Sequence, residues 1–393
     1  MNYPAIVRPI TIATLAAFAA LTALAGVSHA QTEAGPTIAI VVGAPGTEEY
    51  RSLFEQWATR LEDAATRAGA QWHRVDGGDA VQEDSGETDD RTRLQRFLEA
   101  QVGESDYPLW LVFIGHGTFD GQTAKFNLAG PDVSAAELSQ WLAGCKRPLA
   151  IINCASSSGP FVNRLSAPDR VIVTATRSGF EQNYARFGEY FSAAIADPAA
   201  DLDKDDQTSL LEAFVAASAR VEEFYSQASR LATEHALLDD NGDGLGTPAS
   251  FFRGVRAVEK PSGGAATDGT RAHQLHLIPS RQERRMPVVV RDYRDRLEQQ
   301  IAALRDDRPQ WDETEYYARL EDLAVSLARV YQWQDAPPGS PPEPLPAEVL
   351  AQTALAPASP GPVPSDVAAP SPTTPEPASL PGAPPQPPTA ARH

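Results

Sequence analysis

Cysteine and methionine are nearly missing from this chain of 393 residues, which has two of each. Two cysteines cannot supply the disulfide framework of a small secreted scaffold, nor a Cys-rich metal site. A single bridge between Cys145 and Cys154 is disfavoured as well. The intervening Lys-Arg-Pro-Leu-Ala-Ile-Ile-Asn carries an apolar stretch that reads as a buried strand, and so extended it spans roughly 25 Å, against the ~7 Å limit for bridged Cα atoms. Free thiols are expected. Basic charge is also scarce: 33 Lys and Arg face 52 Asp and Glu, for a net charge of -19. That balance excludes sequence-blind binding to nucleic acid or anionic lipid, which draws affinity from clustered cations. Beyond residue 30 no run approaches the roughly 20 apolar residues of a membrane helix, so no stable span is expected in the mature chain.

The first thirty residues differ from the rest. Arg8 precedes an apolar stretch from Ile10 to Val27 that ends in Ser28-His29-Ala30, the form of a secretory signal peptide with a small-x-small cleavage site. The mature chain is expected to start near Gln31 and to be exported, as a periplasmic or secreted protein.

From Thr37 to about Gly254, short apolar runs alternate with helical periodicity, which predicts an α/β fold with a mainly parallel sheet and flanking helices. The predicted strands are 37–42, 70–75, 109–114, 149–153 and 171–176. Before the first helix stands Thr47 as a cap, followed by Glu48 and Glu49 at its positive end and by Tyr50, Phe54, Trp57 and Leu61 at helical spacing. Residues 255–286 read as a linker. Two helical stripes follow, Tyr293, Leu297, Ile301, Leu304 and Tyr316, Leu320, Leu323, Leu327, Val330; they predict an antiparallel helical hairpin over 287–335, a candidate surface for a protein partner. From 336 to 393 the chain holds 19 of its 34 prolines and is expected to be a disordered tail without chemistry.

Two residues carry the chemistry. His116 stands in Leu-Val-Phe-Ile-Gly-His-Gly, directly past one apolar strand, and Cys154 stands in Ala-Ile-Ile-Asn-Cys-Ala-Ser, directly past the next. Neighbouring parallel strands bring both to the sheet edge where open α/β proteins place their sites. A histidine can activate a cysteine as base or as ion-pair partner, and Gly117 lets the backbone approach a substrate carbonyl, so that its N–H and that of Cys154 can hold an oxyanion.

A second constellation is Asp201, Asp203, Asp205 and Glu212, at positions 1, 3, 5 and 12 of a calcium-type loop, with Asp206 where position 6 prefers glycine. A partial echo follows at Asp239, Asn241 and Asp243. A structural calcium ion is the expected cofactor. Catalysis needs none.

His-Gly after one strand and Cys after the next resembles the signature of the caspase and legumain group of cysteine peptidases, in an exported, bacterial-type form. Gly43, Gly46, Tyr50 and Arg51 match the legumain pattern after its first strand. Asn153, Cys154, Ala155 and Ser156 are similar to its acidic-small-Cys-x-Ser-Gly context, with Gly159 displaced by two extra serines. The resemblance covers about 37–195. It implies a cysteine endopeptidase with Cys154 as nucleophile, His116 as its partner, a protein or peptide substrate, and Arg51 as a wall of the specificity pocket. Ile152 replaces the acidic pocket residue of legumains, and Glu49 replaces an asparagine that orients the histidine. With Ile152 and Arg51 in one pocket, and Glu181 near its edge, an acidic side chain before the scissile bond is expected. The alternative is a non-catalytic, calcium-dependent protein-binding module on the same fold.

Overall fold

A computed structural model describes residues 35–76, 89–103, 105–260, 266–335, 345–347 and 349. The expected signal peptide and nearly all of the proline-rich tail lie outside the described residues.

Five parallel strands form the body of one sheet: β1 (Thr37–Val42), β2 (Gln71–Val75), β3 (Leu109–Ile114), β7 (Leu149–Asn153) and β8 (Arg170–Thr174). Their spatial order is β2-β1-β3-β7-β8, so the chain moves outward in opposite directions from β1 and β3, and the carboxyl ends of those two strands flank the switch point where α/β proteins open a crevice. Two short strands, β9 (Leu237–Asp239) and β10 (Thr247–Pro248), extend the β8 edge in antiparallel fashion and complete seven strands. The fold is thus mixed α/β with a mostly parallel central sheet between helices, as the sequence predicts.

Near-continuous apolar runs make β1, β3 and β7 buried on both faces, and their period-2 alternation assigns each residue to one layer. Ile38, Ile40, Trp110, Val112, Ala150, Ile152 and Cys154 face α1 (Glu48–Ala68), α5 (Phe187–Ala194) and α6 (Leu210–Gln227). Ala39, Val41, Leu111, Phe113, Ile151 and Ala155 face α2 (Asp90–Ala100), α3 (Ala135–Trp141) and α4 (Pro160–Leu165). Helix α1 shows the cause locally. The Thr47 hydroxyl accepts from Tyr50 N–H, and Phe54, Trp57 and Leu61 are buried on one stripe, each such side chain contributing about 1.5–3 kcal/mol.

Three very short strands, β4 (Gly117–Phe119), β5 (Ala124–Phe126) and β6 (Val133–Ser134), form a second sheet directly after β3. Strands β11 (Phe252–Arg253) and β12 (Arg256–Ala257) pair separately. The expected linker is not one: it carries β12, α7 (Thr270–Gln274) and α8 (Arg281–Arg285), and Asp268, Ala272, Leu277 and Glu283 are buried. The hairpin is present as α9 (Val288–Asp306) and α10 (Glu313–Asp335). It packs on the α/β body through Gln274, which bonds Asp295 and Glu298, and through Thr267 and Lys260, which bond Asp306. The tail expectation also needs correction at two places, because Leu345 and Val349 are buried against Met286, Val290, Leu297 and Val330. No described helix is long and apolar enough to cross a membrane.

Candidate active site

Beyond Ile114, the last residue of β3, the same alternation carries His116 toward α1. Its ring lies among three aromatics, with centroids 4.7 Å from Tyr50, 5.2 Å from Phe54 and 6.3 Å from Tyr184. Nε2 is 3.3 Å from the Pro45 carbonyl, on the loop after β1. A carbonyl accepts only, so Nε2 carries the hydrogen and Nδ1 is left with its lone pair. Burial pushes the imidazole pKa below its ordinary value, and the Pro45 bond opposes this only in part. The two loops of the switch point hold the side chain, and its half-buried setting favours the uncharged imidazole.

Gly117 opens β4 and lies against the turn that follows β7. Its N–H donates to Ser156 Oγ at 3.2 Å, and that hydroxyl donates back to the Gly117 carbonyl at 3.1 Å. Only glycine permits the approach: a Cβ here would sit 2.2 Å from the Ser156 carbonyl oxygen. The turn itself is fixed from several sides. Asn153 Oδ1 accepts from Ala155 N–H, Ser157 adopts φ of 55°, Ser157 N–H donates to the Glu181 carbonyl, and Thr176 Oγ1 accepts from Gly159 N–H and pairs with Ser158 Oγ. A left-handed serine costs energy that such surrounding bonds must offset.

Cys154 stands elsewhere than expected. It continues the β7 alternation into the core, is 1% exposed, and packs where a Cβ on Gly188 would come within 2.8 Å of its own. Its N–H, expected to help hold an oxyanion, instead donates to the Phe113 carbonyl at 2.9 Å. Burial, and next the Glu234 carboxylate, push the thiol pKa well above the ordinary range. No hydrogen bond joins the thiol to His116 among the described residues. Cys145 and Cys154 are both free thiols, as the strand between them requires.

The expected specificity pocket is not assembled. Arg51 points to solvent from α1 and pairs with Glu48 at 3.1 Å, while Ile152 is fully buried in the core beneath. Glu181 is taken by His235 Nδ1 at 2.6 Å and by Arg177. Glu49 is exposed, and the Pro45 carbonyl holds His116 in its stead. The preference for an acidic residue before the scissile bond, which rested on Arg51 beside Ile152, loses its basis.

In the acidic loop, carboxylate oxygens of Asp201, Asp203 and Asp205 lie within 4.8 Å of one another, and Asp206 takes φ of 69°, the conformation for which position 6 prefers glycine. Glu212 is turned away to a cap: it accepts from Leu202 and Asp203 N–H with one oxygen and from Ser209 with the other. Asp239, Asn241 and Asp243 accept from Gly242, Asp243 and Leu245 N–H respectively, closing their own loop.

Sequence reasoning missed Pro45, Tyr184, Ser156 and Glu234. Glu234 is buried and accepts from the N–H groups of Arg186 and Phe187 at the start of α5; no local pattern announces a cap supplied from 47 residues away.

No protein-family profile and no curated protein matches this chain. Among solved structures it is similar to the crystal structure of the Drosophila initiator caspase Dronc, at 13% identity and a TM-score of 0.36, over 55% of this chain and 81% of that one. It is also similar to the crystal structure of Chaetomium thermophilum Raptor, at 10% identity and a TM-score of 0.28, over 42% of this chain and 18% of that one.

Proposed function

We propose that this is an exported peptide hydrolase of the caspase-like kind, working through an acyl-enzyme formed on the turn after β7 with His116 as the proton carrier. The observation that carries the reading is the meeting of His-Gly with that turn at the switch point, where the Gly117 N–H stands 3.2 Å from a side-chain hydroxyl. In the reaction a nucleophile of the turn adds to the peptide carbonyl carbon and its proton passes to His116 Nδ1. The Gly117 N–H bonds the oxyanion, the C–N bond breaks, and the imidazolium protonates the leaving amine. Water then releases the acyl group by the same route. The resemblance to cysteine peptidases nominates the Cys154 thiol as that nucleophile.

The test is cleavage of a diverse peptide library by the mature chain and by His116→Ala. A loss of about 10²-fold or more in kcat/KM is expected for removal of a general base. Cleavage undiminished by the substitution would overturn the proposal.

The second reading, a calcium-dependent binding module without turnover, is favoured by the burial of Cys154 and by the converging Asp201, Asp203 and Asp205 carboxylates. In either reading we propose calcium as a structural ion, held by these oxygens. Calcium that binds the folded state alone raises Tm, by the equivalent of about 2.7 kcal/mol at a hundred times Kd, and Asp203→Asn should abolish the rise. An unchanged Tm at millimolar calcium would reject the site.

A further inference from the structure

We infer that the nucleophile of this site is the Ser156 hydroxyl and that Cys154 is a core residue, an assignment that rests on the peptide-hydrolase reading above. Strand phase separates the two. Cys154 still belongs to β7, since its N–H is bonded to Phe113 and its side chain falls on the same face as Ala150 and Ile152. The chain leaves the strand only afterwards, when Asn153 caps Ala155 N–H, and the first side chain past that bend to meet the His-Gly segment is Ser156.

Its position suits attack. A reacting carbonyl must lie about 3 Å from both the nucleophile and the oxyanion donor. Ser156 Oγ and Gly117 N are themselves 3.2 Å apart, so a carbonyl oxygen that takes over the Gly117 N–H brings its carbon to Oγ. Ser156 is itself only 4% exposed, so a substrate must displace the two hydrogen bonds that it makes to Gly117. The charge state of the imidazole fits as well. A thiolate needs an imidazolium beside it, whereas a hydroxyl needs a neutral imidazole to accept its proton. His116 is half-buried, no carboxylate among the described residues bonds it, and its partial burial disfavours the charged form.

The step balances without a cofactor. Ser156 Oγ forms an ester bond to the acyl carbon, its proton goes by His116 to the departing amine, and water returns the hydroxyl.

The experiment treats the full mature chain, and variants shown to be folded by circular dichroism, with a fluorophosphonate and with iodoacetamide, locates adducts by peptide mass spectrometry, and follows library cleavage in parallel. Expected are a phosphonyl adduct on Ser156, its loss by about 10²-fold in rate in His116→Ala, and loss of cleavage in Ser156→Ala. In Ser156→Cys the alkylation should move to position 156. Cleavage that survives Ser156→Ala but is lost in Cys154→Ala would overturn the inference while leaving a peptide hydrolase. Cleavage and labelling absent from wild type and from Ser156→Cys alike would overturn both.

Discussion

Gly117→Ala tests the site at its tightest point. Gly117 does not have a left-handed φ, since it is not among the positive-φ glycines, so alanine brings no backbone penalty and the effect is steric. The new methyl would lie 2.2 Å from the Ser156 carbonyl oxygen and 3.2 Å from that of Lys125. Both obstacles are backbone, with no flexible side chain to swing aside. To reach ordinary contact at 3.4 Å, the two segments must part by more than 1 Å, and the bond between Gly117 N–H and Ser156 Oγ, at 3.2 Å, breaks.

Overpacking of this kind costs about 1–3 kcal/mol, which for a protein of this size lowers Tm by about 1–5 °C. The chemical consequence is larger, because losing an oxyanion donor costs about 10²–10³ in kcat. Calorimetry and library cleavage on wild type, Gly117→Ala and the exposed control Lys125→Ala separate the two effects. An unchanged Tm in Gly117→Ala would refute the close approach. A lowered Tm with full cleavage would refute the role of this N–H in the reaction.

Three further outcomes follow from buried polar groups. Glu234→Ala leaves the N–H groups of Arg186 and Phe187 and the Tyr225 hydroxyl without their buried acceptor, and should cost about 2–4 kcal/mol; an unshifted urea midpoint would deny the cap. Asp240 and Asp268 are buried together, and burial raises both carboxyls above their ordinary range, so the folded state keeps a proton that the unfolded chain releases. Their contribution is then complete below the ordinary carboxylate pKa and is lost as pH rises through the raised folded values, and Asp268→Asn should flatten that part of the stability profile; an equally steep profile in the variant would show that no proton is held. Iodoacetamide should alkylate the half-buried Cys145 in the native chain and reach Cys154 only on unfolding, so rapid native labelling of Cys154 would contradict its burial.

Long apolar strands made the framework legible. Thr37–Val42, Leu109–Ile114 and Leu149–Asn153 have the bounds expected of them, because runs of four to six apolar residues closed by glycine or a polar residue leave little choice. Strands of two or three residues carry no period, and β4, β5 and β6 were therefore invisible although they frame Gly117. The buried segment around Asp268 and Leu277 failed for another reason: its polar residues are satisfied internally, as when Asp268 accepts from Asp240 and Asn241 N–H and from the Thr247 hydroxyl, so composition alone read as a linker.

At the site, His116 and Gly117 were legible because a strand end fixes where they stand. For Ile152 and Cys154 the same rule foretold burial: alternation from Ala150 places both inside the sheet layer. With Ser156 set at the nucleophile position of acidic-small-Cys-x-Ser-Gly, Gly159 comes into line without any inserted serines, while Cys154 then stands at the acidic position.

The electrostatics of the site point the same way as its register. In an ion-pair cysteine site, each partner must stabilise the other's charge, which requires contact or partial exposure to water. Here the thiol is fully buried, the imidazole is half-buried and no hydrogen bond joins them; burial raises the thiol and lowers the imidazole, so each shift opposes the charge that the pair would need. The nearest acidic influence on the thiol is Glu234, which penalises a thiolate further. A hydroxyl nucleophile makes no such demand. It stays neutral until the carbonyl arrives, gives up its proton only as the C–O bond forms, and calls for an imidazole that is uncharged at rest, with Nε2 tied to a carbonyl and Nδ1 open. His116, bonded through Nε2 to Pro45 and flanked by Tyr50, Phe54 and Tyr184, is oriented for that task by a backbone carbonyl, with Glu49 exposed to solvent.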